Sequence, residues 1–184
     1  DYTTINHMPS GRKPIITQLV RADDKEDLYR DIQNILDSNN QIYWVCSCID
    51  FTETLETEYV TNQFEILSEK FADFKIGLLH GRNDPKENKM NMNLFVKGDI
   101  DILVCTTMIE VGIDVPNATC IVIEDSNRFG LSQLHQLRGR VGRSDKQSYC
   151  YLIYKNVINE QAMRRLTALE KHSNGFNIAE EDLK

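Results

Sequence analysis

Gln136, Arg140 and Arg143 are the side chains best placed to do chemistry. Within Gln133 to Ser144, helical projection sets them at i, i+4 and i+7 on one side, with Leu134, Leu137 and Val141 opposite. Two guanidiniums one turn apart are permanently charged, fork-shaped donors, and they suit the oxygens of a polyphosphate. Gly139 and Gly142 lie between and beside them, although each glycine weakens a helix interior by about 1 kcal/mol relative to alanine. The pattern therefore predicts a helix whose bare backbone allows a large ligand to approach. Arg138 projects away from Arg140, near the apolar side, and is expected to serve packing or a local salt bridge. A solvated arginine face would explain any single pair, but the compound pattern Q-x-x-G-R-x-G-R is much rarer and favours a site.

Two further constellations follow strand-like runs. Thr106 and Thr107 end the apolar stretch Asp101 to Cys105, and Gly112, Asp114 and Pro116 come soon after. Hydroxyls and free N–H groups at a strand end can grip a phosphate without reading a base. His80-Gly81-Arg82 ends the run Lys75 to Leu79 in the same way, with Arg82 as the cation. Taken alone, the threonines could cap a turn and the His-Gly-Arg could be a surface bend.

Together these segments are similar to one family. Gln136-Leu137-Arg138-Gly139-Arg140-Val141-Gly142-Arg143 resembles motif VI of superfamily 2 helicases, and Arg128 to His135 resembles the RecG branch of it. Thr106 to Pro116 resembles motif V and His80-Gly81-Arg82 resembles motif IVa. Trp44 to Asp50 occupies the place of motif IV, with Cys48 where relatives often carry proline. The resemblance implies a three-layer RecA-like α/β domain with a mostly parallel sheet, spanning 12–158 after a linker at 1–11. The start of a helical extension, truncated, would occupy 159–184. It also implies that Arg140 and Arg143 are arginine fingers reaching across a domain interface to the terminal phosphate of ATP. Gln136, Gly112 and Asp114 would complete that nucleotide site, while Arg82, Gly81, Thr106 and Thr107 would hold DNA phosphates.

Ile121-Val122-Ile123-Glu124-Asp125 has the outline of a Walker B strand, yet none of the nine glycines is followed by lysine and no G-x-x-x-x-G-K-[ST] occurs. Motifs IV to VI without a P-loop correspond to the second RecA-like domain of a two-domain motor. ATP and magnesium would then be bound mainly by an N-terminal RecA-like domain of the same polypeptide. The implied activity is that of an ATP-dependent DNA helicase or translocase acting on branched double-stranded DNA in the bacterial cytoplasm. Alternatives are the motor domain of a transcription-repair coupling translocase and a non-catalytic nucleic-acid-binding module of the same fold.

These residues need a scaffold. The 184 residues, 41% hydrophobic, can bury one good core. Apolar runs at Ile15 to Val20, Ile42 to Ile49, Lys75 to Leu79, Asp101 to Cys105, Cys120 to Ile123 and Ser148 to Tyr154 read as strands. Between them lie helical patterns: one capped at Asp23 or Asp24 and carrying Leu28, Ile32, Ile35 and Leu36, one from Thr54 to Phe71, and one from Asp84 and Pro85 to Gly98. A last helix starts at Asn159. The alternation predicts a parallel sheet covered on both faces, with ligands at the carboxyl ends of its strands. Net charge is −7, yet Arg128 to Lys171 holds nine lysines or arginines against three acids, so any anion is expected to bind locally. The five cysteines show no zinc spacing and read as buried thiols, and no apolar run is long enough to span a bilayer.

Overall fold

The computed structural model describes residues 13–48, 52–81, 83–106, 113–155 and 159–172. Six strands alternate with five helices: β1 Ile16–Arg21, α1 Glu26–Asp37, β2 Gln41–Val45, α2 Glu53–Lys70, β3 Ile76–Leu79, α3 Pro85–Lys97, β4 Ile102–Cys105, β5 Ala118–Ile123, α4 Leu131–Arg138, β6 Tyr149–Tyr154 and α5 Glu160–Lys171. A 3-10 turn, Ser126–Arg128, follows β5.

The strands form one sheet in the order β1-β6-β5-β2-β4-β3, with every pairing parallel. All residues of β2, β4 and β5 are buried, as expected for strands covered on both faces. Side-chain alternation divides the core in two. Trp44, Val104 and Val122 face α1 and α2, whereas Tyr43, Leu103 and Ile121 face α3, α4 and α5. Connections that run rightward along the sheet (β1 to β2, β2 to β3) place their helices on one face, and those running leftward place theirs on the other. A single crossover hand requires that arrangement.

Local chemistry sets the helix ends. The Asp84 carboxylate accepts from the Lys86 N–H at 3.0 Å, Pro85 fills the first turn, and Gly98 closes α3 at φ 89°, a left-handed conformation that favours glycine. Asn159 caps α5 by accepting from the Ala162 N–H at 2.7 Å. α5 buries Leu166 and Leu169 in the core, and Glu170 accepts from the Leu19 N–H at 3.1 Å, guarding the sheet edge at β1. α1 departs from expectation: it starts after Lys25 with no side-chain cap. Asp23 instead pairs with Arg21 at 3.2 Å, which leaves Glu26 and Asp27 to favour the helix N-terminus by charge.

Candidate functional site

α4 ends at Arg138, earlier than helical projection implies. Gly139 keeps a helical φ and the Arg140 and Val141 N–H groups close one more tight turn onto Leu137 and Arg138. Gly142 then turns left-handed at φ 80°. A Cβ on Gly142 would lie 2.7 Å from Ile15 Cγ1, and the Gly142 N–H donates to Ser148 Oγ at 3.1 Å. This glycine therefore lets the chain reverse against the lead into β1, a packing role where ligand approach was expected. Arg140 and Arg143 stand on that turn and do not share a continuous helix face.

The turn sits at the amino edge of the sheet. α4 begins beside the carboxyl end of β5, where the start of the arginine helix was expected, and runs back across the sheet. Arg143 is exposed and its Nε donates to the Gly139 carbonyl at 3.1 Å. Arg140 is partly buried, and its Nη1 is enclosed with no hydrogen-bond partner among the described residues. Asp114, Arg140 and Arg143 all act electrostatically on the buried phenol of Tyr43. That phenol is pushed up to about 12, chiefly by burial, with Cys105 and Asp114 also raising it and the two arginines pulling it down. Gln136 is exposed on α4, one helical turn before Arg140.

A polar relay that sequence reasoning missed holds the turn in place. Lys146 Nζ donates to Asn117 Oδ1 at 2.7 Å and Asn40 Oδ1 at 3.2 Å, and Ser144 Oγ donates to the Pro116 carbonyl at 3.4 Å. The Asn117 amide donates onward to the Asn39 carbonyl at 2.8 Å and to Gln41 Oε1 at 3.2 Å. Buried Gln41 donates to the Phe95 and Ile100 carbonyls at 2.6 and 2.8 Å. The arginine turn is thus tied to the end of the segment carrying Asp114 and to the C-terminus of α3. A sequence signal existed: asparagine and glutamine ahead of apolar strands rarely stay buried without such a task.

The carboxyl edge holds the second group. Thr106 ends β4, buried, its N–H directed at the Leu79 carbonyl at 3.4 Å. Gly81 lies exposed on the turn after β3. Asn88 fixes that turn by accepting from the His80 N–H at 3.1 Å and donating to the His80 carbonyl at 2.7 Å, while Asn91 donates to the Leu78 carbonyl at 2.7 Å. Asparagine is a poor helix former, so two of them pointing back from α3 was the readable sign. Arg82, Thr107 and Gly112 lie outside the described residues.

Two further charged groups, Arg138 and Glu124, are structural. Arg138 is 2% exposed, and its Nη1 donates to Thr17 Oγ1, the Leu169 carbonyl and the His172 carbonyl at 3.2, 2.9 and 2.6 Å. Glu124 faces α1 and α2, where it accepts from Trp44 Nε1 at 3.2 Å and pairs with Lys25 at 3.4 Å. Burial raises its pKa, and Lys25 and Trp44 oppose the shift. No group of His, Cys, Asp or Glu could hold a metal among the described residues, and no described helix is long and apolar enough to cross a membrane.

Comparison with known proteins agrees with this architecture. Residues 27–145 match the helicase conserved C-terminal domain. The chain is 48% identical to the ATP-dependent DNA helicase RecG of Aquifex aeolicus and 42% identical to that of Treponema pallidum, and in both cases all of the chain aligns. It spans 24% and 27% of those relatives' lengths. A solved structure of RecG bound to a three-way DNA junction superposes with a TM-score of 0.80 and 43% identity, over 96% of this chain and 23% of that one. The yeast DEAD-box splicing factor Prp28, at 18% identity and a TM-score of 0.64, shares the fold over 94% of this chain and 37% of its own. The chain belongs to the helicase conserved C-terminal domain family, and within it is similar to the RecG proteins.

Proposed function

We propose that the chain is the second RecA-like half of an ATP-driven motor that acts on branched double-stranded DNA. The observation that carries this reading is the separation of two groups to opposite ends of one rigid sheet. Arg140 and Arg143 stand on the turn at the amino edge, and Gly81 and Thr106 lie at the carboxyl edge. A motor needs nucleotide and track held apart yet mechanically joined, and an all-parallel sheet flanked by helices supplies that stiffness.

The arginine turn suits a phosphate. Arg140 Nη1 is enclosed and lacks a partner among the described residues, and a desolvated, unpaired guanidinium N–H gains most from an anionic oxygen. ATP, when bound, would supply the phosphoryl transfer. The two arginines would offset charge that develops on the transferred group, with Gln136 and Asp114 alongside and Gly112 backing the same site. At the other edge Thr106, Thr107, Gly81 and Arg82 would hold DNA phosphates without reading sequence. Magnesium and the rest of the ATP would be held mainly by an N-terminal RecA-like domain carrying the P-loop, and the bacterial cytoplasm is the compartment that fits. The 12–158 segment would be the motor domain, with 1–11 as linker and 159–184 opening a helical extension.

The test is turnover by the 184-residue chain itself. Without a P-loop it should hydrolyse no ATP and bind it weakly at most. Robust DNA-stimulated hydrolysis by the chain alone would overturn the two-domain reading.

A further inference from the structure

The outer side of α3 is a second basic feature of this acidic molecule, beside Arg128 to Lys171. Lys86, Lys89, Asn93 and Lys97 recur at i, i+3, i+7 and i+11 and so form one exposed stripe. None of the three ammonium groups forms an ion pair among the described residues. The acids nearest in sequence are Glu87, one position off the stripe, Asp84, whose carboxylate is engaged by the Lys86 N–H, and Asp99, exposed two residues beyond Lys97 after the Gly98 turn.

Grooves flank the stripe on both sides. The larger, about 620 Å³, runs from Gly81 and Asn83 at the carboxyl edge to Lys89 and Asn93. The second, about 370 Å³, continues from those same two residues to Lys86, Met90 and Lys97. Met90 and Val96 are also large hydrophobic side chains left exposed, at 55% and 46%. Unpaired lysines with exposed apolar carbon between them mark a contact surface better than either would alone.

We infer that α3 is a second DNA-backbone track, in which Lys86, Lys89 and Lys97 take phosphates along a duplex whose first contact is the Gly81 turn. This deepens the motor reading and rests on it. Charge sign and continuity select the occupant. The stripe is the basic extension of an edge already assigned to phosphates, and Asn93 and Met90 can lie against sugar without a base preference. Length agrees as well: Lys86 to Lys97 covers eleven helical steps, about 16 Å, which matches the rise of roughly five base pairs at 3.4 Å each. The two asparagines that anchor α3, Asn88 and Asn91, would keep track and turn in register.

The test is a titration of the isotopically labelled 184-residue chain with a 12-base-pair duplex at low salt, read by amide chemical shifts. Shifts are expected at Gly81, at Thr106 and along Lys86 to Lys97. The triple variant Lys86→Gln, Lys89→Gln, Lys97→Gln should lose those on α3, keep those at Gly81 and Thr106, and flatten the salt dependence by about 0.9 per lost contact. Shifts confined to the carboxyl edge, with an unchanged salt slope in the variant, would overturn the track and leave the motor reading intact. A protein-docking role for α3 would produce that same pattern. A chain that shifts nowhere at low salt removes both. Shifts on α3 alone would support the track and count against DNA contact through Gly81 and Thr106.

Discussion

The two edges of the sheet solve one problem by different means. At the carboxyl edge the turn after β3 is short and is held by asparagine amides that imitate a neighbouring strand: Asn88 takes both backbone groups of His80 and Asn91 takes the Leu78 carbonyl. At the amino edge the arginine turn has no neighbouring strand to imitate. It is held by a left-handed glycine against Ile15 and by the relay from Lys146 through Asn117 to Gln41. The first arrangement fixes a turn to its own hairpin-like surroundings. The second ties it to three distant segments, so it is the better placed of the two to sense a change elsewhere in the domain.

The sharpest way to break the comparison is to remove the arginines. In the full-length protein that carries this chain, Arg140→Ala or Arg143→Ala should cut ATP turnover by roughly 10³-fold or more. DNA affinity and melting temperature should stay nearly unchanged. Thr106→Ala should do the reverse, weakening DNA binding more than turnover. Equal losses of both properties at both edges would show that the edges do not divide the work.

Arg138 provides the internal contrast. Replacing it with alanine leaves two carbonyls and a threonine hydroxyl without their donor in the core, which should cost on the order of 3 kcal/mol and roughly 10 °C in melting temperature. A variant that melts like the parent but has lost turnover would place Arg138 in the catalytic group with its neighbours. Glycines sharpen the picture further. Gly98→Ala meets only a backbone cost, because nothing lies within 4 Å of the added Cβ at φ 89°. Gly142→Ala meets a similar backbone cost and also presses on Ile15 at 2.7 and 2.8 Å. Chemical denaturation should find about 1 kcal/mol lost at Gly98 and more at Gly142, and turnover in the full-length protein should fall only for Gly142.

A further effect is alkaline. The Tyr43 phenol ordinarily titrates at 10 and is pushed up to about 12, chiefly by burial. A group whose folded pKa is raised contributes stability below its unfolded pKa and loses it as pH rises towards the folded one. Tyr43 therefore removes about 2 to 3 kcal/mol between pH 10 and 12. Tyr43→Phe should make the melting temperature fall less across that window, and identical slopes for parent and variant would refute the link between the phenol and the fold.

Most of the scaffold was legible because its code is local. The apolar runs of β2, β4 and β5 and the helix signals at Asp84, Pro85, Gly98 and Asn159 each correspond to an observed element or cap. Arg138 was legible too, as a side chain directed inward. What failed was extrapolation past a glycine. Periodicity carried the helix on to Arg143, whereas the positive φ at Gly142 answers to Ile15, more than a hundred residues away. The relay was unreadable for the same reason, since Lys146, Asn117, Asn40 and Gln41 meet only once the strands have stacked. Asp24 failed as a cap in α1 because the helix begins one residue later than its spacing allows.

The thiols have a practical consequence. Cys46, Cys105, Cys120 and Cys150 are each 0% exposed, and burial leads the causes that hold every one of them, and Cys48 as well, above the usual thiol range. Thiolate is the reactive form, so a native molecule offers almost none to an alkylating reagent. Labelling of the four enclosed thiols then becomes a clock for opening of the whole sheet. A reporter cysteine placed on the arginine turn or on α3 would react against a silent background, letting each edge be watched separately while the other is loaded.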